Sequence, residues 1–148
     1  GLVGSEMCIR DRDSGLESGM MIVQYVAGAA LAELHGQATP RSAFSTTTSA
    51  GQEDHVSMGA TAAWNLHVGV RRLSEILACE ALIAAEALEH ATLRSSPHVC
   101  AMHDLVRTVA SALVGDRSTS AELMQIADEL RQPGWLARLE AEHGRLPR

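Results

Sequence analysis

The sequence predicts an all-α protein whose long helices belong to a larger central helical bundle. Ala, Leu, Glu and Met are frequent, while the 148 residues hold only one Tyr, one Phe and two Trp, a composition that favours helix. Apolar residues recur at spacings of three and four over long runs. The resulting helices carry more apolar surface than a bundle of this length can cover, so further neighbours are implied.

The first twelve residues stand apart from this pattern. Leu2 to Arg12, "LVGSEMCIRDR", mix charged and apolar residues with no helical or strand period. With ordinary codons they back-translate to a sequence that resembles a transposon-end adaptor of sequencing libraries. Residues 1–12 are therefore read as a translated adaptor, a processing scar excluded from fold reasoning. Residues 13–148 are read as a helical fragment of a longer protein.

The first helix runs from about Ser18 to Leu34, where Met20, Met21, Ile22, Val23, Tyr25, Val26, Leu31 and Leu34 leave almost no polar face. Such a helix is covered on all sides. Gly36 and Pro40 close it, and "TPRSAFSTTTSAG" forms an irregular connection, of a length usually tied to function or disorder. One long helical run follows, about Val56 to Thr92, with an apolar stripe of Leu66, Val70, Leu73, Leu77, Ala81, Ala84 and Leu88. At 1.5 Å per residue it is a rod on the order of 50 Å. A third helix spans about His98 to Val114 after the "SSP" break. A fourth begins near Thr119, whose spacing to Glu122 is that of a capping box, and stops at Gln132, Pro133 and Gly134.

Charge and cysteine usage exclude several functions. The net charge is −6 and the arginines are scattered, which leaves no phosphate-tracking stripe and no polybasic membrane patch. The most apolar stretch, "MMIVQYVAGAALAEL", is broken by Gln24 and Glu33 and is too short to span a bilayer. Cys8, Cys79 and Cys100 form neither a disulfide framework nor a zinc pattern. A cytoplasmic protein without nucleic-acid or membrane partners is expected.

Polar residues concentrate in "SAGQEDHVSMG", residues 49–59, where Gln52, Glu53, Asp54 and His55 stand together. Asp54 reads as the N-cap of the long helix. His55 points away from its neighbours and is a poor ligand. His98 and Cys100 lie about 200° apart on a helix, so with His103 they do not converge on a metal. The "STTTS" run has no adjacent base and reads as a turn-rich loop.

"SGLESGMMIVQYVAGAALAEL", "TSAGQEDHVSMG" and "RRLSEILACEALIAAEALE" together resemble the C-terminal part of histidine ammonia-lyases, within the aromatic amino acid ammonia-lyase family. The resemblance is specific over about Ser14 to Leu88, weaker through "LVGDRSTSAE", and absent from the last fifteen residues. It implies a cytoplasmic homotetramer that eliminates ammonia from L-histidine, giving trans-urocanate without oxidation. The implied electrophile is 4-methylidene-imidazol-5-one (MIO), formed from an Ala-Ser-Gly tripeptide. No such tripeptide occurs here, so the electrophile is assigned to sequence upstream and this chain alone is expected to be inactive.

By the same resemblance Glu53 is the active-site glutamate, a position filled in phenylalanine and tyrosine lyases by the Gln of an NQD motif. A carboxylate suits an imidazole because it accepts a charge-assisted hydrogen bond from a ring N–H. A helix N-terminus would keep Glu53 ionised and a weak base, which favours substrate orientation over proton transfer. Gln52 joins the same hydrogen-bonded shell, and Met21 matches a methionine lining the substrate pocket.

Departures cluster beside this loop. Phe44 replaces an Asp, Thr47 a Pro, Thr39 a His, and Leu34 and His35 an Asn-Lys pair. An apolar Phe44 would repack the loop and change what the pocket accepts, which makes a phenylalanine or tyrosine ammonia-lyase or a 2,3-aminomutase the alternative. A non-catalytic helical assembly module is a further alternative, disfavoured because such helices have no need of the QEDH cluster.

Overall fold

The computed structural model describes residues 18–92 and 95–145, so the adaptor reading of residues 1–12 lies outside the described residues. Among the described residues five α-helices follow one another: α1 (Met21–Gln37), α2 (Gly59–Glu89), α3 (Pro97–Val109), α4 (Ser120–Arg131) and α5 (Trp135–His143). Short 3-10 turns at Arg41–Ala43 and Ser49–Gly51 punctuate the connection between α1 and α2. α5, beyond the Pro133-Gly134 stop, is an element that the spacing of apolar residues did not announce.

α2 is the spine. Its 31 residues make a rod of about 46 Å, and α1, α3 and α4 all pack on it. α1 runs antiparallel to α2, as three contacts show: Arg72 Nε donates to Glu33 Oε2 at 2.6 Å, Asn65 Nδ2 donates to Gln37 O at 3.0 Å, and Gly69 faces Leu34 and Gln37. The core gathers Met20 and Val23 from the start of α1, Ala78, Cys79, Leu82 and Ala85 from α2, Val106 and Ala110 from α3 and its end, and Ile126 and Ala127 from α4. Burial raises the pKa of the Cys79 thiol, consistent with a packing role.

The buried face of α2 is not the apolar stripe that periodicity marks. Ser74, Ala78, Cys79, Leu82, Ala85 and Glu86 are buried, whereas Leu66, Val70, Leu73 and Leu77 are exposed. α1 likewise leaves Met21, Ile22, Tyr25, Val26 and Leu31 exposed. Among the described residues α1 is covered on one side only.

Two further expectations are corrected. α3 ends at Val109, five residues before the predicted Val114, because Ala110 is extended (φ −122°, ψ 116°). The backbone groups there have partners elsewhere: Arg107 Nη1 donates to Ala110 O at 3.2 Å, and the Leu113 N–H donates to the Glu86 carboxylate at 3.2 and 3.3 Å. The capping box at Thr119 does not close, since its side chain caps no N–H and Glu122 instead pairs with Arg117. The expected Ser and Pro signals do open α3, with Ser96 Oγ accepting from the Val99 N–H at 3.4 Å and Pro97 in the first turn.

Candidate functional site

The loop between α1 and α2 is built around a six-residue turn that presents Glu53. Thr48 and Glu53 form an antiparallel bridge: the Thr48 N–H donates to Glu53 O at 2.9 Å, and the Glu53 N–H returns to Thr48 O at 3.3 Å. Inside the bridge the chain turns through left-handed conformations at Ser49 (φ 52°), Ala50 (φ 55°) and Gly51 (φ 89°). Such conformations cost L-residues energy and persist only where surrounding contacts enforce them. Here the Gly51 N–H donates to Thr48 O at 3.1 Å and the Gln52 N–H to Ser49 O at 3.1 Å. Ser45 Oγ ties the loop to its far side by accepting the Val56 N–H at 2.8 Å.

On this turn the Glu53 side chain is exposed and held at one oxygen: Thr48 Oγ1 donates to Glu53 Oε2 at 2.7 Å. Gln52 precedes it, with its side chain also exposed. The helix-start account of this cluster is overturned. α2 begins only at Gly59, its N-cap is Met58 in a left-handed conformation (φ 53°), and no side chain caps it. Asp54 is therefore not the N-cap. Glu53 stands six residues before Gly59, beyond the first turn within which a helix dipole acts, so its orientation comes from Thr48.

Met21 is the first residue of α1 and is partly exposed. It lies at the end of α1 opposite the loop's root at Gln37, about 25 Å along the helix axis. The approach to it is positioned from a distance: Asp116 accepts the N–H groups of Ser18 and Gly19, just ahead of the N-cap Met20, at 2.7 and 2.9 Å. The weaker "LVGDRS" match thus contains a residue that anchors α1. Phe44 is extended and exposed and so does not repack the loop from within.

The histidines set aside as metal ligands have other partners. His98 Nε2 donates to Gly144 O at 2.8 Å, and Cys100 Sγ faces Ser95 O at 3.7 Å. His103 joins a charge network with Nε2 2.8 Å from Glu89 Oε1 and Nδ1 3.2 Å from Asp104 Oδ1. The hydrogen bond to Glu89, then that to Asp104, raises the His103 pKa, and the bonds from His103 and Arg107 lower that of Glu89. Arg107 extends the network inward, donating from Nε to Glu89 at 2.9 Å and from Nη2 to the buried Glu86 at 3.0 Å.

Sequence reasoning missed Thr48, dismissed within "STTTS". The available signal was a hydroxyl five residues before Glu53 across a Ser-Ala-Gly turn. It also missed the Glu86–Arg107 pair, which no local spacing marks.

Comparison with known proteins agrees with this architecture. The aromatic amino acid lyase family profile matches residues 4–108. The chain is 41% identical over 118 residues to a histidine ammonia-lyase of Deinococcus radiodurans, covering 80% of this chain and 22% of that protein. It is 37% identical over 136 residues to the histidine ammonia-lyase of Symbiobacterium thermophilum, covering 91% of this chain and 27% of that protein. Among solved structures, a tyrosine aminomutase from Streptomyces globisporus superposes with a TM-score of 0.83 at 31% identity, covering 91% of this chain and 26% of the other. The histidine ammonia-lyase of Trypanosoma cruzi superposes with a TM-score of 0.83 at 28% identity, covering 93% and 29%. The chain thus spans about a quarter of the length of the curated relatives it matches. On this combination of family match, sequence identity and shared helical architecture, the chain belongs to the aromatic amino acid lyase family.

Proposed function

We propose that this chain is the C-terminal part of a histidine ammonia-lyase, and that its full-length parent converts L-histidine to trans-urocanate by non-oxidative loss of ammonia. The observation that carries the reading is the Glu53 carboxylate, presented on a strained turn and held at Oε2 by Thr48 in a chain whose curated relatives include histidine ammonia-lyases. Glu53 orients the substrate by accepting a ring N–H of the imidazole. Gln52 completes the polar shell beside it, and Met21, at the opposite end of α1, supplies an apolar wall to the pocket of another copy in the proposed tetramer.

The MIO electrophile supplies the carbon acid activation in such lyases. Its Ala-Ser-Gly source is absent from these 148 residues, so the residues present here bind and orient while the electrophile belongs to the rest of the parent. The chain alone forms no urocanate on this reading. The parent is assigned as a cytoplasmic homotetramer, in keeping with the uncovered apolar faces of α1 and α2.

Glu53→Gln in the full-length parent tests the proposal. The substitution keeps shape but removes the charge, so kcat/KM for histidine falls roughly tenfold to 150-fold, the equivalent of ~1.5–3 kcal/mol for a charged hydrogen bond. Phenylalanine turnover suffers no comparable loss. An unchanged histidine-to-phenylalanine ratio rejects the role. The similarity to a tyrosine aminomutase favours a second reading as a tyrosine or phenylalanine lyase or 2,3-aminomutase. Chromatography of the parent's products from L-tyrosine separates them: an arylacrylate or a β-amino acid product establishes the second reading.

A further inference from the structure

We propose that Thr48 is a positioning residue for the Glu53 carboxylate and thereby a determinant of substrate choice. The inference rests on the reading of Glu53 as the group that holds the substrate imidazole. Thr48 touches Glu53 through both backbone and side chain: the two residues exchange N–H···O bonds at 2.9 and 3.3 Å, and Thr48 Oγ1 donates to Glu53 Oε2 at 2.7 Å. The backbone pair fixes where the glutamate Cα stands. The hydroxyl bond fixes which way its flexible side chain points.

The division of the two carboxylate oxygens follows. A carboxylate accepts at both oxygens. With Oε2 occupied by Thr48, Oε1 takes no hydrogen bond from the described residues and is the oxygen available to an imidazole N–H. An exposed glutamate without this tether samples several rotamers and must lose that freedom when substrate binds. Thr48 removes part of that cost beforehand, a form of preorganisation. The left-handed run at Ser49, Ala50 and Gly51 brings Thr48 back over Glu53, so the strain in the turn is maintained where it serves the carboxylate.

The consequence is selective. A substrate that donates to Glu53 gains from a pre-aimed Oε1, and one with a plain phenyl ring does not. Thr48→Val keeps the branched shape and removes the donor, whereas Thr48→Ser keeps the donor and removes the methyl group.

The test measures kcat/KM for histidine and for phenylalanine on the same sample of full-length parent, so that the ratio is independent of the fraction folded. Thr48→Val lowers the histidine-to-phenylalanine ratio about tenfold, Thr48→Ala does the same should the valine variant fail to fold, and Thr48→Ser retains the wild-type ratio. In the Glu53→Gln background Thr48→Val causes no further fall in the ratio, because the carboxylate it positions is gone. If Glu53→Gln lowers the ratio while Thr48→Val and Thr48→Ala leave it at the wild-type value, the positioning role is overturned and the Glu53 reading stands. If Glu53→Gln itself leaves the ratio unchanged, both fall.

Discussion

Ala50 sits at φ 55° and ψ 33°, a left-handed conformation that costs an L-residue about 1 kcal/mol, and Gly51 follows at φ 89°. Neighbouring positions therefore respond oppositely to exchange. A Cβ added at Gly51 meets nothing within 4 Å, so Gly51→Ala loses about 1 kcal/mol through backbone conformation alone. Ala50→Gly relieves strain and frees the unfolded chain by similar amounts, leaving stability within about 0.5 kcal/mol of the original or above it. Urea midpoints of the two variants in the full-length parent check this, and a neutral Gly51→Ala would show that the positive φ is not needed. The same turn presents Glu53, so the activity test of Glu53→Gln and these stability tests probe one local structure from two directions.

At the scale of elements, a single arginine joins α2 to α3 and to the segment after α3. Arg107 donates to Glu86, Glu89 and Ala110 O from three different nitrogens. Glu86 is 5% exposed and also accepts the Leu113 N–H, so removing its cationic partner leaves a charge stranded in the interior. Arg107→Ala is expected to cost about 3 kcal/mol or more. Arg107→Lys recovers little, because one ammonium does not reproduce the planar fork. Chemical denaturation measures both.

The outer part of the network is pH-dependent. His103, with its pKa raised, contributes fully below the ordinary histidine value, and its contribution is lost as pH rises through the elevated pKa. Glu89, with its pKa lowered, contributes fully above the ordinary carboxylate range, and its contribution is lost as pH falls through the depressed pKa. The pair therefore stabilises most between about pH 5 and 6.5. The stability difference between wild type and His103→Gln shrinks as pH rises from about 6 to 8, and a difference that stays constant over that range would show that His103 acts by packing alone.

For the molecule as a whole, uncovered apolar surface is the dominant feature. Five large apolar residues of α1, together with Leu66, Val70, Leu73 and Leu77 of α2, are exposed. A half-open apolar groove of about 400 Å³ continues along α2 past Ala81 and Ala84, flanked by Val99 and Met102 of α3, Leu130 of α4 and Trp135 of α5. Patches of this kind drive association in water. Residues 13–148 expressed alone are therefore expected to be helical yet to self-associate, with sedimentation showing mass above the monomer. A soluble monodisperse monomer would contradict this. No helix among the described residues is long and apolar enough to cross a membrane.

Local pattern was enough to announce most of the helices, the break at Ser96 and Pro97, and the oddity of a polar cluster at Gln52 and Glu53, because helix periodicity, proline geometry and motif identity are properties of neighbours in sequence. It did not show which stripe of α2 is buried, since Leu66 to Leu77 and Ser74 to Glu86 both lie on helical spacings and only packing against α1, α3 and α4 selects between them. It placed the end of α3 too late because Glu86 and Arg107 capture backbone groups that a continuing helix would use. It made Asp54 a cap and put Glu53 at a helix start, although the chain first closes a turn between Thr48 and Glu53 and enters α2 at Gly59. The anchoring of α1 by Asp116 joins residues 97 and 98 positions apart. Such contacts are decided by the folded chain, where a charge or an unpaired N–H takes the partner that three-dimensional packing brings within reach.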